Sequence, residues 1–546
     1  MADHSFEEKV LQILQVLWQD DPVFATSCGI HDYDHRLSHL SKEAIETHTA
    51  HLREFIRQLE QMGQRPDPEE EGDRQALLAV IKNGLIDWEE IGWHRKEPAL
   101  YADHALYGLY LLIAREFAPL EQRLASVKDR LQEVCRLLKE SQETIEPHQV
   151  PSILVETALE SARGAGLFFA EVIPEAADRV SDSGLRREVL KSNDEAAQAF
   201  RDWEKWLKEE VAPRAAGHWG VGRDLFLAKL RQGHLLEAEP EELKALGEEV
   251  LAQTVSQMAE LALRLDPLKN WKELVEEKKA HHPPENQILD TYRKEVERAR
   301  QFVLERGIVG LPENDRLSVV ETPSFDRPTT PYAAYVAPAP FDEKSEGLFY
   351  VTPVNGKEPP EVRMDRLKGH CIYSLPIVVV HEAYPGHHLQ LSIARGLPSL
   401  VRKVFGDTVS IEGWALYCEE MMLEQGYSDD PIVRLFQLKD LLWRAVRVIV
   451  DVGLHCHGMT PQQAAGLLVS EAHIEPANAV AEVRRYCASP TQPLSYLTGK
   501  MQILRLRQEA ERKLGGQFQL KDFHDRLLRT CNWPIPLVRP IVLGGS

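Results

Sequence analysis

No stretch of this 546-residue sequence is apolar for long enough to cross a bilayer. The longest nearly apolar run, residues 371–380, is interrupted by Ser374 and Pro376 and is about half the length that a bilayer needs. The first residues are acidic, where a secretory signal would carry basic residues and then an apolar run. We therefore expect no signal peptide, no membrane partner and a cytoplasmic location.

Cysteine and positive charge are also scarce. The seven cysteines are widely spread and form no Cys-x-x-Cys pair, so we expect reduced thiols and neither a redox motif nor a zinc ribbon. Lysine and arginine together number 64 against 85 aspartates and glutamates, which gives a net charge of −21. Because this charge repels phosphate backbones, nucleic acid is not an expected partner.

Helical patterning is what the sequence has in abundance. Apolar positions recur with helical periodicity from residue 6 to about residue 309, between short breaks rich in proline and glycine. Near residue 315 prolines and aromatic residues become dense, and residues 348–352 form a β-rich run. We expect a mainly α protein with a small β-sheet near the active site. Residues 1–310 would form a helical half and residues 311–546 a catalytic half of one compact, two-lobed unit.

A motif rich in histidine follows the apolar run. His381 and Glu382 are adjacent, and His387 and His388 come after Ala-Tyr-Pro-Gly. In an ordinary zinc-binding helix the second histidine comes four residues after the first, because that spacing puts both imidazoles on one face. Position 385 is proline here, and a regular helix cannot pass unaltered through it. The helical register must therefore slip within the motif.

Two histidines compete for the second ligand position. His387 reaches it if Pro385 and Gly386 bulge out of the helix. His388 returns to the face of His381 after seven residues, but two undistorted turns separate that pair by about 10.5 Å, which is too far for ligands of one metal ion. We favour His387 and keep His388 as the rival ligand.

Glu412 offers a carboxylate on a separate predicted helix downstream. Two histidines and one carboxylate leave the fourth position of zinc open, as a catalytic site requires, whereas a structural site is closed by four ligands. Glu382, beside the first ligand, can serve as general base for a water activated by the metal. Glu419 lies two turns beyond Glu412 on the same face and could orient a histidine ligand.

Four further polar residues are candidates for substrate contacts. His455 could hydrogen-bond the oxyanion of the reaction as a catalytic residue, or be a satisfied histidine of the core. Tyr496 and Lys500 are four residues apart and share one face of a predicted helix. Together with Arg485 they could hold a substrate carboxylate or the oxyanion, or serve as architectural hydrogen-bond donors.

The motif as a whole resembles a known family. His-Glu-x-x-Pro-Gly-His-His-x-Gln from residue 381, followed by Glu-Gly-Trp-Ala-Leu-Tyr from residue 412, is similar to the bacterial domain-of-unknown-function 885 family. That family is grouped with gluzincin metallopeptidases. The resemblance spans at least residues 381–525, although residues 489–493 depart from the family's usual Pro-Gly-Gln. It implies a helical body like that of angiotensin-converting enzyme, with the metal in a deep channel.

We therefore expect a zinc-dependent peptidase, a hydrolase that binds one divalent ion per chain and cleaves peptides. His381, His387 and Glu412 would carry the metal, and an edge of the predicted sheet could accept the peptide as an added strand. The same centre could instead cleave a non-peptide acyl amide or ester. A third interpretation is a non-catalytic peptide-binding protein with a structural metal, which would need a fourth ligand such as His388.

Overall fold

The structure, a computed structural model, describes residues 6–313, 315–322, 327, 332–342, 346–354, 359–530 and 532–544. It is 74% helical with one small sheet, which confirms the predicted mainly α fold. Across these ranges, no helix combines the length and the apolar character that crossing a membrane requires. The deep channel and the sheet's role in binding peptide stay predictions.

Contacts between residues divide the chain into two compact units. Unit 1 consists of Met1–Arg65, Leu78–Val221 and Ala339–Ser345, and unit 2 consists of Pro66–Leu77, Gly222–Pro338 and Glu346–Ser546. The main division thus falls at residues 221 and 222, whereas the sequence changes its texture near residue 310. The two features differ because composition responds to local structure, while the units are defined by packing between distant segments.

Unit 1 is built from helices that bury one face each. In the third of them, Ile45, Thr49, Leu52, Phe55 and Leu59 are buried at spacings of three and four residues, and the Ser41 hydroxyl accepts a hydrogen bond from the Ala44 amide at its start. The first ten α-helices of the described residues, of which the fourth has residues in both units, are α1 Phe6–Asp20, α2 Pro22–Cys28, α3 Lys42–Gln61, α4 Pro68–Leu85, α5 Trp93–Lys96, α6 Ala99–Ala114, α7 Leu120–Thr144, α8 Ser152–Leu167, α9 Ile173–Asp178 and α10 Ser183–Trp206.

Unit 2 holds the remaining α-helices of the described residues. They are α11 Arg223–Ala228, α12 Pro240–Leu265, α13 Trp271–Lys279, α14 Ile288–Arg306, α15 Pro360–Gly369, α16 Leu375–Glu382, α17 His387–Gly396, α18 Leu400–Val404, α19 Thr408–Glu424, α20 Pro431–Cys456, α21 Pro461–Ser470, α22 Pro476–Ala488, α23 Gln492–Leu514, α24 Leu520–Thr530 and α25 Ile535–Leu543. Helix α20 is buried on nearly all sides, and its residues Leu435, Phe436 and Leu442 pack with Met258 of α12 and Leu274 of α13 in one apolar cluster. This packing joins α12 and α13 to the C-terminal half.

Within the described residues the sheet has three short strands, β1 Leu317–Glu321, β2 Ala333–Val336 and β3 Gly347–Val351. β3 lies in the middle, parallel to β1 and antiparallel to β2, with Phe349 opposite both Val319 and Tyr335. The strand predicted at residues 348–352 is therefore present, one residue earlier in the chain. The first residue of β3, Gly347, lies so close to His388 that a Cβ atom there would be 2.7 Å from its Nδ1. The sheet thus lies beside the histidine motif.

Candidate metal centre

The helix that carries the motif breaks in two. Helix α16 ends at Glu382 and α17 begins at His387, with Pro385 between them. The Gly386 amide donates to the Val380 carbonyl at 3.0 Å, and a Cβ atom on Gly386 would meet the His381 carbonyl oxygen at 1.8 Å. The register does slip at the Pro-Gly pair, but by ending one helix and starting another instead of by a bulge. Glycine is required because the backbone folds back on itself there.

This break brings His381, His387 and Glu412 together. Nε2 of His387 lies 3.3 Å and Nε2 of His381 lies 3.8 Å from Oε2 of Glu412. One potential ligand atom from each residue lies within 4.8 Å of the other two. Ligand atoms of a tetrahedral zinc ion, with bonds of about 2.1 Å, are roughly 3.4 Å apart. The spacing therefore fits a single metal ion with small adjustments of the side chains.

The donor atoms also fit a cation chemically. Oε2 of Glu412 is buried and has no hydrogen-bond partner among the described residues, although it faces two imidazoles. An unsatisfied buried carboxylate oxygen costs free energy, and a metal ion would satisfy it. Two imidazoles and one carboxylate form the kind of donor set that binds zinc.

The charges around His381, His387 and Glu412 favour a positive charge in the space between these three side chains. Burial opposes ionisation of Glu412, but the contacts with His381 and His387 outweigh burial and hold the pKa of its carboxyl well below the ordinary value. Burial likewise opposes protonation of His381, but the contacts with Glu412 and Glu419 raise its pKa to about 10. The carboxylates thus attract a proton to the place where a metal cation would bind.

Glu419 takes the orienting position predicted for it. Its Oε1 lies 2.8 Å from Nδ1 of His381, and its side chain is almost fully buried. This contact leaves Nε2 of His381 directed at Glu412 and fixes the ring. His387 lacks a corresponding support, because its Nδ1 is buried without a hydrogen-bond partner in the described part of the chain. The two histidines are therefore held unequally.

His388, the rival ligand, points elsewhere. Its Nε2 lies 2.6 Å from Oδ1 of Asp315 and its Nδ1 lies 3.2 Å from the Tyr335 hydroxyl on β2. The Tyr384 hydroxyl donates to the other oxygen of Asp315 at 2.6 Å. Both ring nitrogens of His388 are committed to these partners, so the geometry favours His387 as the second ligand.

Glu382 and Tyr496 lie next to the group. Glu382 is half-buried at the end of α16, close enough for its charge to act on His381. The ring of Tyr496 on α23 lies nearly parallel to the His381 ring, with 6.3 Å between centroids. Burial, and next to it the charge of Glu412, raises the pKa of the Tyr496 phenol. The phenol therefore keeps its proton and can donate a hydrogen bond.

The remaining predicted residues have structural partners. Nζ of Lys500 is buried and lies 2.6 Å from a carboxylate oxygen of Glu420, which favours the architectural alternative for Lys500. Nε2 of His455 lies 3.0 Å from the Tyr486 carbonyl oxygen, and its ring packs against Phe226. These contacts favour the interpretation of His455 as a core histidine. Arg485 is partly exposed and lies against the Glu482 carboxylate.

Two glycines that the sequence analysis did not single out bring the parts of the site together. Gly413 on α19 follows Glu412, and a Cβ atom on it would meet Cα of Gly499 on α23 at 2.5 Å. These helices pack backbone to backbone, which sets Tyr496 near Glu412. The sequence feature that could have indicated this close packing is a glycine inside a helical pattern, as in Glu-Gly-Trp and Thr-Gly-Lys. A further unexpected contact is the hydrogen bond from the Trp414 indole to the Pro385 carbonyl, at 2.8 Å.

Comparisons with known proteins agree with this fold. A family model described as "Bacterial protein of unknown function (DUF885)" matches residues 22–542. A protein from Shewanella oneidensis, described as a putative lipoprotein of unknown function, is 25% identical, with a TM-score of 0.82 over 99% of this chain and 100% of that one. A protein from Colwellia psychrerythraea, described as a putative lipoprotein, is 21% identical, with a TM-score of 0.85 over 99% of each chain. No curated protein matches.

Proposed function

The chain belongs to the bacterial family of unknown function DUF885, and for this member we propose the activity of a zinc-dependent peptidase. The observation that carries the proposal is the group formed by His381, His387 and Glu412, whose ligand atoms lie within 4.8 Å of one another. Three protein ligands leave one position of a tetrahedral ion open, which is the arrangement of a catalytic site.

The chemistry is amide hydrolysis. Zinc bound by the three ligands would polarise the substrate carbonyl and acidify a water molecule. Glu382, adjacent to His381 and half-buried, takes a proton from the attacking water and returns it to the leaving nitrogen. The Tyr496 phenol, which keeps its proton at neutral pH, donates a hydrogen bond to the oxygen on which negative charge develops.

The small sheet supports a peptide as the substrate. β2 is an edge strand, and Tyr335 in β2 contacts His388, the residue that follows the second ligand. An extended peptide that adds to such an edge would have its backbone held in register beside the motif. This arrangement favours peptides over small acyl amides or esters, which have no strand to add.

The test separates metal binding from chemistry. Glu382→Gln removes the base but none of the three ligands, so it should keep about one zinc per chain and lower the hydrolysis of a peptide library by roughly 10²- to 10⁴-fold. Glu305→Gln, an exposed substitution on α14, is the matched control and should keep full activity. Undiminished hydrolysis by Glu382→Gln would rule out this base. Cleavage of an acyl-amide panel with no cleavage of peptides would replace the peptidase by the alternative hydrolase.

A further inference from the structure

Two arginines share one carboxylate near the metal centre. Nη2 of Arg447 lies 3.1 Å from Oε2 of Glu482, and Nη2 of Arg485 lies 2.9 Å from the same oxygen. Arg447 also donates to the Tyr486 hydroxyl at 2.8 Å. Guanidinium groups stay charged at any physiological pH. The carboxylate trio, defined as Arg447, Glu482 and Arg485, therefore carries one positive charge in excess.

Contacts connect the carboxylate trio to the metal centre. The guanidinium of Arg447 lies 4.6 Å from the centroid of the Tyr496 ring, which in turn stacks on His381. Gln492 provides a second link, because its Oε1 accepts from Arg485 at 2.7 Å and its Nε2 lies 3.4 Å from the Tyr496 hydroxyl. A single side chain, that of Tyr496, thus lies between the carboxylate trio and His381, the first of the proposed metal ligands.

Asp451, an acid near Arg485, does not neutralise this excess. Its two carboxylate oxygens accept backbone hydrogen bonds from Thr491, at 3.3 Å, and from Leu494, at 3.1 Å, at the start of α23. Burial raises the pKa of Asp451 to about 8 in spite of these hydrogen bonds. The carboxyl is therefore mostly uncharged at neutral pH, and it accepts hydrogen bonds from backbone amides at the start of α23.

The two arginines differ in exposure. The side chain of Arg447 is 5% exposed and is fixed by Tyr486, Glu482 and the Tyr496 ring, whereas that of Arg485 is 40% exposed. Glu482 lies against both arginines and supplies one counter-ion for the pair, which leaves one positive charge that an anionic group of a ligand could pair with. Arg485 is the member of the trio that such a group can reach.

We propose that the carboxylate trio binds the free C-terminal carboxylate of the substrate, with Arg485 as the contacting residue. This inference rests on the proposed peptidase function and names its substrate class: peptides cleaved near a free C-terminus. A guanidinium holds a carboxylate through two parallel hydrogen bonds, which an amidated terminus cannot match.

The experiment compares two peptides that differ only at the terminus, one a free acid and one a C-terminal amide. For the zinc-loaded wild type, kcat/KM should be roughly 10- to 100-fold higher for the acid, the range of charge-assisted hydrogen bonds. Arg485→Gln should bring the ratio close to one, and Arg485→Lys should give an intermediate ratio because it keeps the charge but loses the fork. Arg539→Gln, which removes an exposed arginine paired with Glu509, should keep the wild-type ratio.

Each outcome bears on one proposal. Equal rates for acid and amide in the wild type would overturn the carboxylate subsite and leave the peptidase intact. Hydrolysis of neither peptide would count against the peptidase, and calorimetric binding of an N-acetyl dipeptide acid and its amide then decides the subsite. Tighter binding of the acid, lost in Arg485→Gln, supports the subsite, whereas equal or undetectable binding of both overturns it.

Discussion

Both units place two histidines against one carboxylate, but only one of the two groups leaves its carboxylate unsatisfied. In unit 1, Nδ1 of His48 and of His51 lie 3.1 and 2.8 Å from Oδ2 of Asp20, within hydrogen-bonding geometry. We refer to these three residues as the Asp20 group. The two histidines are three residues apart on the unbroken helix α3, so their rings rise side by side toward one acceptor.

In unit 2, His381, His387 and Glu412 form the Glu412 group. Its two histidines come from the facing ends of α16 and α17, and Oε2 of Glu412 lies 3.8 and 3.3 Å from their Nε2 atoms without a hydrogen bond. Among the residues that the structure describes, this is the group whose ligand atoms all lie within 4.8 Å. The difference teaches that two histidines beside a carboxylate do not by themselves make a candidate metal site, because hydrogen bonds can already satisfy the carboxylate, as they do in the Asp20 group.

The largest expected effect is on metal content. Wild-type protein purified without added metal should contain about one zinc per chain, and His387→Ala and Glu412→Ala should contain almost none, because each removes one of three ligands. His51→Ala in the Asp20 group should keep the metal. Elemental analysis of the purified proteins measures this directly.

His388→Ala is the control within the motif. It removes the imidazole that contacts Oδ1 of Asp315 and should lower stability, because this buried carboxylate then keeps, among the described residues, only the hydrogen bond from Tyr384, but it should keep the zinc. Circular dichroism verifies that each variant is folded. If wild-type protein takes up no metal even after reconstitution, or if His51→Ala loses as much as His387→Ala, the contrast between the two groups is wrong.

The next effect concerns the backbone that places the ligands. Gly386→Ala would press a Cβ atom against the His381 carbonyl, so the break between α16 and α17 must move. We expect a loss of roughly 2 kcal/mol or more in the free energy of unfolding, together with weaker zinc binding. Gly396→Ala at the end of α17 has open space around the added atom and is the matched control. Chemical unfolding that shows equal stabilities for both variants would contradict this.

A smaller effect is expected from the orienting residue. Glu419→Gln keeps the size of the side chain but loses the charge beside Nδ1 of His381, so zinc affinity should fall about 10- to 100-fold. Glu424→Gln, on the same helix and paired with Arg507 at the surface, should leave the affinity unchanged. Competition with a chromophoric chelator gives both dissociation constants, and equal values would show that Glu419 does not support the ligand.

The smallest effect tests the Asp20 group through pH. Burial opposes ionisation of Asp20, but hydrogen bonds from His48 and His51 outweigh burial and lower the pKa of its carboxyl. A depressed pKa means that the ionised carboxylate stabilises the fold above its ordinary pKa of about 3.9, and that this contribution disappears as the pH falls through the folded value. Asp20→Asn should therefore cost about 1 kcal/mol at pH 7.

Urea unfolding at pH 7 and at pH 3 measures this difference. The gap between Asp20→Asn and wild type should narrow at pH 3, because this pH lies below the ordinary carboxyl pKa of about 3.9, where the ionised carboxylate begins to lose its contribution to the free energy of unfolding. Asp194→Asn, an exposed substitution on α10, should behave like wild type at both values. A gap of equal size at both pH values would show that Asp20 acts by its shape and not by its charge.

The sequence was informative where chemistry depends on short spacings. The histidine motif limited the candidates for the second ligand to His387 and His388, and Pro385 predicted a break in the helical register. The position of Glu419, two turns after Glu412 on one helix, indicated that it could contact a histidine of the motif, as it does in the hydrogen bond with His381. Each of these inferences used positions within a single helix or loop, where geometry follows from the chain itself.

Contacts between distant segments could not be predicted in the same way. Lys500 shares a helix face with Tyr496, but whether it meets a substrate or Glu420 depends on how α19 and α23 cross. That crossing depends on the close contact between Gly413 and Gly499. Glycine has no side chain, so these positions add nothing to the apolar periodicity from which helix faces are predicted. The packing of α12 on α20, which moves the unit boundary away from residue 310, likewise joins segments far apart in the chain.

The break between α16 and α17 has a further consequence, for how quickly amide protons exchange with solvent. His381 and His387 lie at two helix ends, and helix ends open more readily than helix centres. A metal ion held by both residues would tie the two ends to each other and to α19. Amide exchange at residues 387–390 should therefore slow down when zinc is added, so these few amides report occupancy of the centre before any substrate is known.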